Sequence, residues 1–149
     1  MELKIKALSP KLGTEIPLPA RSTPGSAGMD LAACMDGPVT IAPRALARIP
    51  TGLAIALPSP DYAALVFARS GLGVKHGISL SNGVGVIDSD YRGEIQVGLT
   101  NLSDTPYTIQ PGDRIAQLVV VPVALPELVW TQDLEDTGRG AGGFGSTGR

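Results

Sequence analysis

Pro50-Thr51-Gly52-Leu53-Ala54-Ile55-Ala56-Leu57-Pro58-Ser59-Pro60-Asp61-Tyr62-Ala63-Ala64-Leu65-Val66-Phe67 holds two short aliphatic runs, 52–57 and 63–67, cut apart by a Pro-Ser-Pro break. Proline supplies no N–H and clashes with a preceding helical turn, so the runs cannot fuse into one helix. Each reads instead as a strand. The same punctuation extends outward in both directions, at Pro17, Pro19, Pro24-Gly25, Gly37-Pro38, Pro43, Pro106 and Pro111-Gly112. Between the breaks lie further short aliphatic segments at 3–8, 95–99 and 114–121, several of them alternating apolar and polar residues. Many short strands at regular spacing indicate an all-β sandwich, barrel or jelly roll. The alanine-rich stretch 27–33 has helical propensity, but its flanking glycine and proline argue against a helix. No internal repeat is present.

With 149 residues the chain has the size of one domain and can bury one substantial core, so a single unit spanning 1–149 is expected. The longest apolar run, near Leu118 to Val121, is far too short to cross a bilayer as a helix. The start, Met1-Glu2-Leu3-Lys4-Ile5-Lys6, alternates charged and aliphatic residues and has no signal-peptide core. A lone cysteine, Cys34, cannot form an internal disulfide. These features lead to the expectation of a cytoplasmic protein with no membrane partner. The 12 basic and 14 acidic residues leave a formal charge of -2 with no basic stripe, which argues against polymeric nucleic acid as a ligand. A small phosphorylated ligand stays open, because a few arginines and backbone amides suffice to hold one.

From Thr137 the chain reads Thr-Gly-Arg-Gly-Ala-Gly-Gly-Phe-Gly-Ser-Thr-Gly-Arg, with too little apolar surface to fold onto a core by burial alone. Without a ligand, 137–149 is expected to be mobile. Most glycine-rich termini are only flexible tails. Here, however, Arg139, Phe144, Ser146 and Thr147 put a cation, an aromatic plate and two hydroxyls among glycines that let backbone approach a phosphate. Both readings stand on spacing alone.

Five segments in order carry a resemblance: Ala27-Gly28-Met29-Asp30-Leu31, Ala68-Arg69-Ser70-Gly71-Leu72, Gly85-Val86-Ile87-Asp88-Ser89-Asp90-Tyr91-Arg92-Gly93, Gly112-Asp113-Arg114-Ile115-Ala116-Gln117-Leu118, and Arg139 onward through Gly148. Together they resemble the trimeric dUTPase family along nearly the whole chain. The resemblance implies a jelly-roll-like β fold, a homotrimer with sites at subunit junctions, and a C-terminal motif that closes as a lid. It also implies a magnesium-dependent enzyme that cleaves dUTP to dUMP and pyrophosphate, which limits uracil in DNA and supplies dUMP for thymidylate synthesis.

Hydrolysis of a phosphoanhydride needs an activated water in line with the leaving group and a means of spreading charge over phosphate oxygens. By resemblance, Asp88 is the general base acting on the water that attacks the α-phosphorus. On residues alone it would pass for a turn aspartate. Asp90 would share its face if the segment were extended, but the resemblance gives it no role. Tyr91 is expected to set its ring against deoxyribose and exclude a 2'-hydroxyl. Asn82, Gly83, Val84 and Gly85 resemble a hairpin whose main chain meets the uracil edge, although Asn-Gly alone signals only a turn. Arg69, Ser70 and Gly71 are expected to cradle phosphates, Ser70 acting as a helix N-cap and the following amides as donors. Gln117 is expected to reach the phosphates as well. Asp30 is expected to support Mg2+ through water, since magnesium keeps several waters and bridges phosphates with few protein ligands. Arg139, Gly145, Ser146 and Thr147 are expected to hold the terminal phosphate while Phe144 covers the uracil. His76 is the only histidine and is assigned no part.

Two other functions compete. A dCTP deaminase has a similar fold, but Gly98 stands near the place of its glutamate and the Phe-Gly-Ser-Thr-Gly motif is foreign to it. A non-catalytic nucleotide sensor would have no need of Asp88.

Overall fold

The Pro-Ser-Pro break separates two strands as its chemistry demands, and the same logic holds along the chain. A computed structural model describes residues 1–143. In chain order the elements are β1 (Lys4–Ala7), β2 (Met29–Ala32), β3 (Val39–Ile41), β4 (Leu46–Pro50), β5 (Leu53–Ala56), β6 (Tyr62–Phe67), α1 (Ser70–His76), β7 (Ile78–Leu80), β8 (Gly85–Ile87), β9 (Gln96–Asn101), β10 (Tyr107–Ile109) and β11 (Arg114–Pro122). The alanine-rich stretch is β2, so its flanking breakers outweighed its propensity. Among the described residues no helix is long and apolar enough to cross a membrane.

The strands form four antiparallel sheets, ordered β2-β11-β6-β8, β4-β9-β7, β1-β5 and β10-β3. Together they make the jelly-roll-like, barrel-like fold expected. Their inward faces meet in one core that includes Leu31, Ile49, Leu53, Leu99, Ile115 and Leu118, all fully buried. Burying each such aliphatic side chain contributes about 1.5–3 kcal/mol. Cys34 is a buried member of this cluster, in keeping with the role of a small apolar residue.

Two local features position the site. The first is a β-bulge in β11, where the register to β2 slips between Arg114 and Ala116. Without it, strict alternation would put Arg114 on the core-facing side with Ala116. The bulge instead pairs Arg114 with Ala32, on the same face as Asp30 and Gln117, which are themselves partners. The second is the stop of α1 at Gly77, whose φ of 68° is left-handed and whose N–H reaches back to the carbonyls of Gly73 and Leu72.

The outward face of the four-stranded sheet is aliphatic rather than polar. Register places Leu65, Phe67, Val119 and Val121 there, half-buried, beside exposed Val86. Beyond β11 the chain runs without regular strand or helix, and Leu125, Leu128, Val129, Trp130 and Leu134 stand exposed.

Candidate active site

The expected site residues gather at two places. One is the end of the four-stranded sheet where β2, β11 and β6 share a rung: Asp30, Gln117 and Phe67 lie side by side. From Phe67 the chain continues into Ala68 and Arg69, and α1 follows. The Asp30 carboxylate is held by two guanidinium groups, Oδ1 2.9 Å from Arg69 Nε and Oδ2 3.0 Å from Arg114 Nη1. Arg69 Nη1 also donates to the Arg114 carbonyl at 3.1 Å. Gln117 Nε2 donates to the Ala68 carbonyl at 3.1 Å. Its Oε1 lies 2.7 Å from where a Cβ on Gly28 would be, so Gly28 leaves room for this side chain.

The start of α1 differs in detail from expectation. Ser70 is the first helical residue and the N-cap is Arg69, whose φ of -94° and ψ of 131° continue the extended path of β6, with no side-chain cap bond. Leu72 and Gly73 N–H groups close onto the Arg69 carbonyl, which leaves the amides of Ser70 and Gly71 without an intrahelical partner. Two guanidinium groups paired to Asp30, two open amides and a hydroxyl at one sheet end form a cradle whose chemistry suits an anion.

The second place is a cleft of about 500 Å³ lined by Asn82, Gly85, Asp88 and Tyr91, together with Arg48, Glu94, Gln96 and Gly98. Its rim is the 82–85 turn. Gly83 has a φ of 73°, and Val84 N–H donates to the Asn82 carbonyl at 2.9 Å. The turn is real, but it is not a paired hairpin: β7 pairs with β9 and β8 with β6, so the chain crosses between sheets here. Asn-Gly specifies the tight reversal only, while the ladder is chosen by which strands share a core face.

Asp88 follows Ile87 directly and is exposed. It opens a turn, with Tyr91 N–H on its carbonyl at 3.2 Å, so 88–91 is not extended and Asp90 does not share its face by strand alternation. Arg92 Nη1 braces this turn, donating to the carbonyls of Ser89 at 2.8 Å and Tyr91 at 2.9 Å. Tyr91 is 46% exposed, belongs to no strand and lines the cleft. Gly98 also lines the cleft and offers no carboxylate for deamination. Glu94 does carry one there, but its oxygens accept from Gly52 N–H at 2.8 Å and Gln96 Nε2 at 2.9 Å. His76 packs against Tyr107, ring centroids 4.8 Å apart.

Within one chain Asp88 stands apart from the cradle, although the Val66–Gly85 rung of the cleft is only three residues from Arg69. Ile87, next to Asp88, pairs with Ala64, whereas Arg69 lies five residues further along β6 and beyond its end. That is roughly 17 Å of extended chain. The described part of the arm makes no hydrogen bond to either place: Val123 N–H to the Asp61 carbonyl, 2.8 Å, is its last backbone tie to the body. Arg139 is exposed and donates to the Gly142 carbonyl at 2.7 Å. Phe144, Gly145, Ser146 and Thr147 lie outside the described residues.

Sequence reasoning overlooked Arg114, Arg92, Glu94 and Arg48. Arg114 and Arg92 stand within motifs already quoted, but alternation points Arg114 the wrong way and only the bulge corrects it. Arg48 and Glu94 join the cleft through sheet pairing that no local pattern announces.

Comparison with known proteins accords with this geometry. A family model described as dUTPase matches residues 14–148. The chain is 54% identical over 146 residues to the deoxyuridine 5'-triphosphate nucleotidohydrolase of Hahella chejuensis, covering 98% of this chain and 96% of that one. It is similar to the dUTPase of Staphylococcus bacteriophage 80alpha solved with dUPNHPP, at a TM-score of 0.87, 29% identity and 99% of each chain covered. It is also similar to a mutant dUTPase from phage phi11 of S. aureus in which a structural Mg(II) ion is coordinated. There the TM-score is 0.79 at 25% identity, with 91% of this chain and 100% of that chain covered.

Proposed function

The chain belongs to the dUTPase family, and from that membership we infer that it is a dUTP diphosphatase, cleaving dUTP into dUMP and pyrophosphate. The observation that carries the reading is the cleft, in which an exposed carboxylate, Asp88, adjoins a tight backbone turn and a tyrosine ring. Asp88 takes the proton of the water that attacks the α-phosphorus, as a positioned general base does. Main-chain groups of 82–85 read the uracil edge, and Tyr91 packs on the sugar. Arg69, the amides of Ser70 and Gly71, and Gln117 hold the phosphates, with Arg114 neutralising Asp30 from the other side. The lid, 137–149, supplies Arg139, Gly145, Ser146 and Thr147 to the terminal phosphate and Phe144 to the base.

Magnesium fits this donor set only in one way. Among the described residues no three His, Cys, Asp or Glu side chains cluster to cage a metal. Asp30 is a lone carboxylate at the cradle, its oxygens already accepting from Arg69 and Arg114, so it would support such an ion only through a water, as suits a cation that keeps several waters. When bound, the ion would supply positive charge to the triphosphate.

A homotrimer completes the site. With Asp88 roughly 17 Å of extended chain from Arg69, the carboxylate of one protomer acts on phosphates held by the cradle of another. The aliphatic outer face of the four-stranded sheet and the exposed arm from Leu125 to Leu134 supply apolar surface for that assembly. The free, buried Cys34 suits a cytoplasmic setting. The test is a panel of dUTP, dTTP, dCTP and UTP with Mg2+, scored for pyrophosphate and ammonia. Preferential release of pyrophosphate from dUTP is expected; comparable kcat/KM on dTTP would sink the uracil pocket, ammonia from dCTP would mark a deaminase, and no turnover would mark a sensor.

A further inference from the structure

Tyr91 stands on a stretch that no β ladder holds, between the end of β8 at Ile87 and the start of β9 at Gln96. A wall that distinguishes hydrogen from hydroxyl at one sugar carbon must nevertheless stay within a fraction of an ångström of its place. Its position therefore depends on specific ties. The phenol O–H donates to the Glu94 carbonyl at 3.1 Å. The ring occupies the space that a side chain on Gly93 would fill: a Cβ there would overlap the phenol oxygen and come within 2.6 Å of Cζ. Gly93 is not among the glycines of positive φ, so a side chain here would push the ring from its place rather than strain the backbone.

The Glu94 carbonyl is in turn held from both sides. The Glu94 carboxylate accepts the Gly52 N–H at 2.8 Å and the Gln96 amide at 2.9 Å. The next residue, Ile95, is strapped to the β4–β5 corner, its carbonyl accepting Thr51 Oγ1 at 2.6 Å and its N–H reaching the Leu53 carbonyl at 2.8 Å. Gly52 sits in a left-handed turn with φ of 65°, rigidly placed between two strands. The chain of contacts runs from barrel corner to Glu94 side chain, to Glu94 main chain, to the tyrosine.

We propose that Glu94 is a positioning residue for sugar discrimination, its carboxylate pinning the Tyr91 plate to the β4–β5 corner. The proposal rests on the reading that Tyr91 contacts the sugar. Removing the carboxylate leaves the Gly52 N–H without its acceptor and leaves the peptide that holds the phenol on the Ile95 strap alone, so the wall loosens on its Glu94 side and admits a ribose more readily. Glutamine keeps one acceptor oxygen for Gly52, and the Gln96 amide can turn to meet the other end, so the pin survives.

The experiment compares kcat/KM for dUTP and for UTP in wild type, Glu94→Ala, Glu94→Gln, Tyr91→Phe and Tyr91→Ala. The ratio is taken within each preparation, so the fraction of folded protein cancels. Glu94→Ala should lower the dUTP preference about tenfold, through a rise in the dUTP KM and in UTP turnover more than through the dUTP kcat. Glu94→Gln should restore most of the preference, and Tyr91→Phe, which cuts only the phenol's tie to the Glu94 carbonyl, should lower it in the same direction. A preference within twofold of wild type in Glu94→Ala overturns the proposal, as does a Gln variant no better than Ala. Should Glu94→Ala yield no folded protein, an unchanged ratio in Tyr91→Phe overturns it instead. Tyr91→Ala separates the two levels: loss of preference there with none in Glu94→Ala leaves the reading of Tyr91 standing and removes Glu94, whereas no loss in Tyr91→Ala removes the reading of Tyr91 itself.

Discussion

Replacing Asn101 by alanine should cost more stability than almost any other change of similar size in this fold. Asn101 ends β9 and is fully buried, and all its amide capacity is in use. Nδ2 donates to the carbonyls of Ile41 at 3.0 Å and Thr105 at 2.7 Å, while Oδ1 accepts from Ser103 N–H at 2.9 Å and Ser103 Oγ at 2.7 Å. Alanine leaves two carbonyls and one N–H of the main chain without this partner. At about 1 kcal/mol net for each of the four bonds, with the Thr105 carbonyl still accepting from Ser103 Oγ at 3.0 Å, the loss comes to roughly 3–5 kcal/mol. Asn101→Asp keeps the volume but sets an acceptor against the carbonyls of Ile41 and Thr105. An aspartate there would have its folded-state pKa raised by burial. Its stability would therefore be greatest below the unfolded carboxyl range and lost as pH rises through the folded value. Urea denaturation at fixed protomer concentration, at acid and neutral pH, measures both variants. At temperatures where Asn101→Ala stays folded, KM for dUTP should be unchanged, because the cleft is lined by the opposite end of β9, at Gln96 to Gly98. A cost below about 1 kcal/mol for Asn101→Ala would refute the reasoning.

Asp88→Asn preserves size and some hydrogen bonding but removes the proton acceptor, so kcat should fall about a hundredfold or more while nucleotide binding persists; near-normal kcat would move the base elsewhere, with Asp90 the first place to look. Asp30→Asn should raise the dUTP KM about tenfold by releasing Arg69 and Arg114, and an equal fall in kcat with KM unchanged would instead put Asp30 at the reacting centre. Light scattering under assay conditions should return a trimer mass, and a monomer that turns over dUTP would contradict the shared site. A protein ending at Gly138 should melt close to wild type yet lose turnover, with Phe144→Ala intermediate, since base stacking is worth about 1–3 kcal/mol. Full activity in the truncated protein would reduce the last eleven residues to a tail.

Strand content was legible because proline and glycine act locally: Pro58 and Pro60 end one strand and start another whatever surrounds them, and flanking breakers decide the alanine-rich segment. The identity of Asp30, Arg69, Asp88, Tyr91 and Gln117 as candidates was legible too, because each stands in a motif whose residue order is itself the signal. Their grouping was not. The register that sets Gln117 beside Asp30 and Phe67 is a long-range pairing, and the bulge that turns Arg114 toward Asp30 adds one residue that strict alternation does not foresee. Local chemistry likewise makes the Asn82-Gly83 turn but does not say that its two strands join different sheets. Glu94 is the sharpest case. Nothing near it in sequence marks it out; it matters because folding brings the Gly52 N–H, 42 residues away, against its carboxylate. Sequence by itself determined where the backbone must break and which side chains carry chemistry, since both are properties of one residue and its neighbours. Tertiary structure alone decided which of them face one another, since that depends on which apolar faces share a core.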